Sequence, residues 1–375
     1  MDIKATLSAR LIEARENLGL TQNYMANALG IVRQTYAKFE RGEILPDAEQ
    51  LISMTKLLDK PLTFFYEDSD SDVRFALRAD APSLLSPSMK SHLIEKLKDI
   101  DSLEHAAQRV GANELPGSVH VADASEASLL LVEQKARSER SRLGIGENTC
   151  VGDIVSILES IDIRVIPFQL APEEKSLLSG FSVFSEKYGA AIFVNNHSSL
   201  GVEHQIFSIC HEYAHLLFHR KDYAGPGQNY KTRGIKTSPE EKVANHFAAC
   251  FLVPSNALSL YHSKGDWVYP DSILRLKKIF RVSAACIISR LAQTKLIKAN
   301  NSGMLWGYAN KHGWKTCEPE PLTERLNYNN RLKEIARKAW SREAATESFI
   351  ADLLDLDRKS MACLLEEWYE SEGDK

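Results

Sequence analysis

His211 and His215 stand four residues apart with Glu212 beside the first, in the order His-Glu-x-x-His. On an α-helix, residues at i and i+4 share a face, so two imidazole nitrogens can converge on a single ion. Glu212 is turned about 100° from His211 by the helical pitch and can reach a water held by that ion without ligating it. This is the arrangement of a zinc hydrolase. The flanking Ile206, Phe207, Ile209, Leu216, Leu217 and Phe218 predict a buried helix rather than a polar loop. Two histidines in an apolar helix need a partner, and zinc is the simplest.

Two protein ligands leave zinc underbound, because catalytic sites normally supply three ligands and keep one position open. Downstream, Ser238 to Ala249 reads as a second helix with Pro239 in its first turn and acids at its start. Glu241 is the candidate third ligand, and Ala244, Ala248 and Ala249 would let this helix approach the first closely. Ser238-x-x-Glu241 is also a capping box, however, and Thr237-x-x-Glu240 offers the same cap one residue earlier. If Thr237 is the cap, Glu240 takes the structural task and Glu241 is free for metal; spacing alone leaves both readings open. His219 continues the i+4 series but is rejected, since three residues stacked along one straight helix span too far for one tetrahedral ion.

The run from Ile206 to Pro254, with His211-Glu212-x-x-His215, Glu241-x-x-Ala244-Asn245-x-Phe247-Ala248 and Leu252-Val253-Pro254, resembles the ImmA/IrrE family of metallopeptidases. Ala190 to Asn196 is similar to that family's strand before the active-site helix, Asp153 to Val165 to its opening helix and strand, and Val282 to Leu291 to its closing helix. The resemblance covers roughly 121–297. It implies a zincin-like domain with a small β-sheet, zinc as cofactor, His211, His215 and Glu241 as ligands, and Glu212 as the catalytic base. Zinc in such a set would acidify its water toward about pH 7 and polarise the scissile carbonyl, with Glu212 passing the proton to the leaving amine. An oxyanion partner is left open among His204, Tyr213, His246 and others. The family often has arginines just before the helix; here Glu203, His204 and Ile206 stand there, so no role of those arginines carries over.

The first 66 residues point elsewhere. Leu18 to Gly30 predicts one short helix and Ile31 to Glu40 another, separated by a glycine turn, which suggests helix-turn-helix. With Pro46, Leu51, Leu57 and Leu58 closing a five-helix bundle, the segment resembles the XRE family related to phage repressors. That resemblance implies that Thr21 caps the second helix, that the third enters the major groove, that Gln22 clamps phosphate or base, and that Arg15 pairs with Glu40 inside the bundle. Val32, Arg33, Gln34, Thr35 and Lys38 are expected to face outward, where arginine reads guanine, glutamine reads adenine and valine meets a thymine methyl. Eight basic and eight acidic residues through Tyr66 make the segment neutral, so one copy should bind DNA weakly and two copies, a homodimer, are expected on a pseudo-palindromic site.

Composition bounds the rest. Over 375 residues, 46 basic against 50 acidic residues give a net charge of −4, which excludes a generally basic nucleic-acid coat. Six scattered cysteines without C-x-x-C, no signal peptide and no run approaching 18 apolar residues point to the cytoplasm. Cys210, beside His211, reads as a small buried hydrophobe. Glu67 to Asp72 is an acidic linker, Ala81-Pro82-Ser83 and Ser86-Pro87-Ser88 mark a further break, and Ser91 to Gln108 is helical in pattern. Past 298 an irregular aromatic stretch with Trp306, Tyr308 and Trp314 is expected, then helices from Arg331 to Trp368. Within these, Ala344 to Leu356 is similar to a small helix-turn-helix-like pair at the end of some XRE and ImmA/IrrE fusions.

The expected fold is therefore α+β, mainly α: a helix-turn-helix bundle at 1–68, a connector at 69–120, the metallopeptidase domain at 121–297 and a C-terminal helical region at 298–375. The expected function is a DNA-binding transcriptional regulator with zinc endopeptidase activity. It would act on operator DNA and on a protein substrate, an XRE-type repressor, in a stress or mobile-element response, with no membrane partner. The competing reading is a repressor or antitoxin-like module whose metal domain senses or scaffolds, and self-cleavage in the acidic linker is a third.

Overall fold

The computed structural model describes residues 3–58, 60, 65, 74–76, 87–108, 115, 119, 121, 123–170, 178–185, 188–220, 238–262, 269–314 and 316–373. The chain divides into two compact units, one formed by 1–72 with 85–92 and the other by 73–84 with 93–375. The acidic segment 67–72, the break at 81–83 and Thr237 lie outside the described residues.

In the first unit, four helices are described within the first 58 residues: α1 (Ile3–Asn17), α2 (Gln22–Ala28), α3 (Arg33–Glu40) and α4 (Ala48–Leu57). Apolar side chains from all four, among them Leu11, Met25, Tyr36, Phe39 and Met54, make one core, joined by Phe65. Thr21 caps α2 by accepting from the Tyr24 N–H at 3.1 Å, satisfying a donor that the helix itself leaves orphaned. Gly30 has φ +66°, a left-handed turn that costs a residue without a side chain least, between α2 and α3. α3 begins two residues later than its apolar pattern suggests, because Val32 is still extended at φ −78°, ψ 146° and serves as the N-cap.

The second unit holds a four-stranded sheet: β1 (Arg74–Ala76), β2 (Arg164–Phe168), β3 (Gly180–Ser185) and β4 (Gly189–Asn195), ordered β1-β3-β4-β2. β2 runs parallel to β4, and β3 is antiparallel to both β4 and β1. β4 is buried along its whole length, as its run of Ala, Ile, Phe and Val requires of a strand with neighbours on both edges. Its helices are the C-terminal part of α5 (Pro87–Ala106), then α6 (Glu126–Arg142), α7 (Ile154–Glu159), α8 (Val202–Phe218), α9 (Pro239–Leu252), α10 (Ser255–His262), α11 (Pro270–Phe280) and α12 (Ala284–Gln293). α13 (Ala299–Lys311), α14 (Asn330–Trp340), α15 (Glu347–Leu353) and α16 (Arg358–Gly373) complete it. α8 lies along β3 and β4, and α9 packs between α8 and α6. No single described helix is long and apolar enough to cross a membrane.

Two sequence expectations are corrected. Where a break was expected at Pro87 and Ser88, α5 begins, and Pro87 is tolerated because the first helical N–H has no intrahelical partner anyway. The stretch after 298 is a helix, α13, despite Gly303, Gly307 and three asparagines; Leu305 and Ala309, four apart, are buried and α13 packs on α12, so tertiary burial overrides weak helix propensity. Arg331 ties α14 into the unit through Glu104 at 2.7 Å and Asp162 at 3.2 Å.

Candidate metal centre

α8 is enclosed on nearly every side, which follows from its apolar sequence and from the sheet on one flank and α9 on the other. His211 and His215 therefore sit buried, one turn apart, with their Nε2 atoms 3.0 Å from each other. α9 brings Glu241 to the same point: Oε2 is 3.4 Å from His211 Nε2 and Oε1 3.4 Å from His215 Nε2. Donor atoms of these three residues lie within 4.8 Å of one another. Two donors each ~2.0–2.1 Å from a tetrahedral zinc would be ~3.3 Å apart, so the spacing fits one ion. Burial alone would raise the Glu241 carboxyl, but its contacts with His211 and His215 outweigh burial and hold it well below the usual carboxylate range.

Helix capping and approach to the histidines are divided within this one residue. Ser238 is the N-cap, its hydroxyl accepting from the Glu241 backbone N–H at 3.3 Å, while the Glu241 carboxylate turns to the histidines. Occupancy of the cap by Ser238 thus leaves Glu241 available without any task for Glu240.

The outer nitrogens of the imidazoles are also engaged. Asn245, one turn after Glu241 on α9, places Oδ1 3.0 Å from His211 Nδ1; an amide oxygen accepts, so Nδ1 carries the proton and Nε2 turns its lone pair to the cluster. His219 lies 2.9 Å from His215 through the Nδ1 atoms of both, outside the donor group. Sequence reasoning gave neither Asn245 nor His219 this supporting task, although the four-residue step from Glu241 to Asn245 was a usable signal.

Glu212 is buried and points toward β3, where the Ser182 hydroxyl donates to its Oε2 at 3.0 Å. Gly180 stands beside it: an added Cβ would come within 2.8 Å of the Phe193 carbonyl oxygen and 3.6 Å of Glu212 Cγ. Neither Ser182 nor Gly180 carries a sequence pattern that reveals this.

The open choice of oxyanion partner narrows. The Tyr213 hydroxyl donates to buried Glu139 at 2.7 Å and accepts from Arg142, a contact on the far side of α8 from the histidines. His246 belongs to a separate group with Glu133 and Cys250. His204 is on the histidine side, seven residues before His211, with Nε2 2.8 Å from the Ser179 hydroxyl. Glu203 is structural, paired with fully buried Lys277 at 2.8 Å and accepting from Leu322 N–H. Cys210 is buried and its thiol is pushed up by desolvation, as a packing residue should be.

Glu133, His246 and Cys250 form a second group with metal-donor spacing. It is filled differently. The Arg290 guanidinium donates to Glu133 at 2.9 Å and to the Val253 carbonyl at 3.0 Å, so a cation already balances the carboxylate. Burial pushes the Cys250 thiol up to about 12, and burial with Arg290 lowers His246. The second group thus differs from the first in having the Arg290 guanidinium built against its carboxylate.

In the first unit, Val32, Arg33, Gln34 and Lys38 are exposed and Thr35 half-buried, while Tyr36 and Phe39 enter the core. Arg15 holds Glu40 through Nε at 2.5 Å, as expected. Gln22 donates to the same carboxylate at 2.8 Å and lies 3.4 Å from Arg33, so its position is set from inside the bundle.

Residues 158–292 match the family described as IrrE N-terminal-like domain, a metallopeptidase family, and residues 11–65 match the helix-turn-helix family. The chain joins a helix-turn-helix domain to an IrrE N-terminal-like domain. An HTH-type transcriptional regulator of Sinorhizobium medicae is 26% identical over 98 residues, which cover 26% of this chain and 68% of that protein. YqaE of Bacillus subtilis, another HTH-type transcriptional regulator, is 34% identical over 68 residues, covering 18% of this chain and 59% of its own length. Bacillus thuringiensis PlcR, solved with the peptide PapR7 and DNA, aligns at 13% identity and TM-score 0.20 over 99% of this chain and 98% of that one. Apo ComR of Streptococcus vestibularis aligns at 12% and 0.17 over 91% and 98%. Likeness at these scores carries no argument. The helix-turn-helix and IrrE N-terminal-like domains are those expected from Leu18 to Glu40 and from the His-Glu-x-x-His helix.

Proposed function

We propose that this chain is a cytoplasmic DNA-binding transcriptional regulator and a zinc-dependent endopeptidase, with a protein substrate of the XRE repressor type. The observation that carries the enzymatic reading is the division of carboxylates around α8: Glu241 joins His211 and His215, whereas Glu212 is turned aside to Ser182. A scaffold needs donors; it does not need a second buried carboxylate one residue from the first ligand. When bound, zinc supplies a Lewis acid that acidifies water and polarises a carbonyl. His211, His215 and Glu241 would hold it, with Asn245 fixing the His211 tautomer. Glu212 accepts the proton and returns it to the leaving nitrogen, and the Ser182 hydroxyl orients its Oε2. Of His204, Tyr213 and His246, His204 is the one on that side, where it would meet developing negative charge on the substrate oxygen.

DNA contact is assigned to Gln22, Val32, Arg33, Gln34, Thr35 and Lys38: Val32, Arg33, Gln34 and Lys38 are exposed at and along α3, Thr35 is half-buried among them, and Gln22 is braced beside Arg33 from α2. With eight basic and eight acidic residues up to Tyr66, two copies on one site are expected to be needed. The domain limits proposed are 1–68, 69–120, 121–297 and 298–375.

The deciding variant is Glu212→Gln. It should retain one zinc per chain and operator binding while a repressor that disappears in wild-type cells after induction persists. Equal repressor turnover in both strains under every inducing condition would leave a regulator whose metal domain is a sensor or scaffold.

A further inference from the structure

β3 pairs on both sides. Toward β4 it is paired over its full length, Gly180 opposite Val194 through Ser185 opposite Gly189; toward β1 it is paired at Ser182, Val183 and Phe184, opposite Ala76, Phe75 and Arg74. The same strand supplies the Ser182 hydroxyl that donates to Glu212, and it runs so near at Gly180 that an added Cβ would stand 3.6 Å from Glu212 Cγ. A polypeptide lying against the outer side of β3 is thus carried past the proton acceptor with its backbone in register. The sheet's other edge, β2, is two strands away. A strand edge offers unpaired N–H and C=O groups, and the partner it fits is an extended backbone.

We propose that the outer edge of β3 is a docking surface for an extended polypeptide, and that β1 is its resident occupant: a substrate strand takes its place by replacing Arg74–Ala76. The proposal rests on the endopeptidase reading and specifies its substrate as a segment able to become extended. Three residue pairs make a marginal strand, so β1 can be exchanged. Being covalently attached, it nevertheless competes at an effective concentration on the order of millimolar, which a free peptide must exceed. Folded proteins cannot donate an extended segment without local unfolding, so displacement selects for substrates with loose or opened segments.

The test uses the full chain in the zinc-loaded Glu212→Gln form, which binds without cutting, and a fluorescent synthetic peptide copying residues 70–80. Phe75→Pro and Ala76→Pro each remove an N–H and disfavour pairing. At least one should bind the peptide about tenfold or more tightly than the parent, by relief of the internal competitor. Amide exchange at 182–184 should speed up in that variant and slow when peptide is added. A converse variant, Arg74→Cys with Phe184→Cys, locks β1 at facing positions; once oxidised it should lose peptide binding and regain it on reduction. Equal peptide affinity in parent, proline and locked forms, or unchanged exchange at 182–184 in both proline variants, would overturn the proposal. Failure of the endopeptidase reading shows separately, as zinc-loaded wild type that cleaves nothing while peptide and β1 still compete.

Discussion

α9 presents donor groups on two faces, and the two are built differently. Toward α8 it offers Glu241, meeting His211 and His215; toward α6 it offers His246 and Cys250, meeting Glu133. Both groups mix imidazole and carboxylate across packed helices. In the second, the Arg290 guanidinium is in contact with the Glu133 carboxylate at 2.9 Å. Donor type and spacing are therefore insufficient to tell the two groups apart: in the second, a guanidinium is already built against the carboxylate.

The largest effect should come from the donors themselves. His211→Ala or Glu241→Ala should drop bound zinc far below one per chain, whereas His246→Ala and Cys250→Ser should leave one zinc, by elemental analysis of purified protein. Two zincs in wild type, falling to one in Cys250→Ser, would break the comparison. Next is Arg290→Met, which strands Glu133 and the Val253 carbonyl; loss of a buried partner should cost about 3–5 kcal/mol in denaturant unfolding. Adding Glu133→Gln should recover part of that loss, and no recovery would show that Arg290 acts by packing rather than charge.

Asn245→Ala tests the other face. It leaves all three donors in place but frees the His211 ring, so zinc affinity should weaken about 10–100-fold with the fold unchanged. The smallest effect is on pH. His246 has its pKa lowered by burial and by Arg290, so its neutral form is the folded one. Its contribution is complete above the unfolded value near 6.5 and declines as pH falls through it, because protonation then favours the unfolded chain. His246→Gln should make thermal stability flatter below pH 6.5 and leave it unaltered in shape above. A steeper decline would mean that Glu133 stabilises the imidazolium instead.

The sequence made the donors legible because helical spacing is local: His211, Glu212 and His215 need only one helix, and α3's outward residues need only its period. Glu241 needed the family resemblance, since Ser238-x-x-Glu241 reads equally as a cap, and only tertiary structure shows the N–H and the carboxylate of one residue used separately. Ser182 and Gly180 were invisible, being unremarkable residues of a strand whose position beside Glu212 is set by packing. β1 was missed because three residues beside an acidic stretch have no periodicity to read, and α13 because Gly303 and Gly307 argue locally against a helix that its contact with α12 sustains.

Glu241 occupies the first turn of α9, the part of any helix that frays most readily, and there its backbone N–H donates to the Ser238 hydroxyl at 3.3 Å. An ion held between this residue and α8 would pin that end. Demetallation and unwinding of the first turn then become one thermodynamic event: chelator would be felt as lost winding at the head of α9, and whatever tightens that turn would slow the ion's escape.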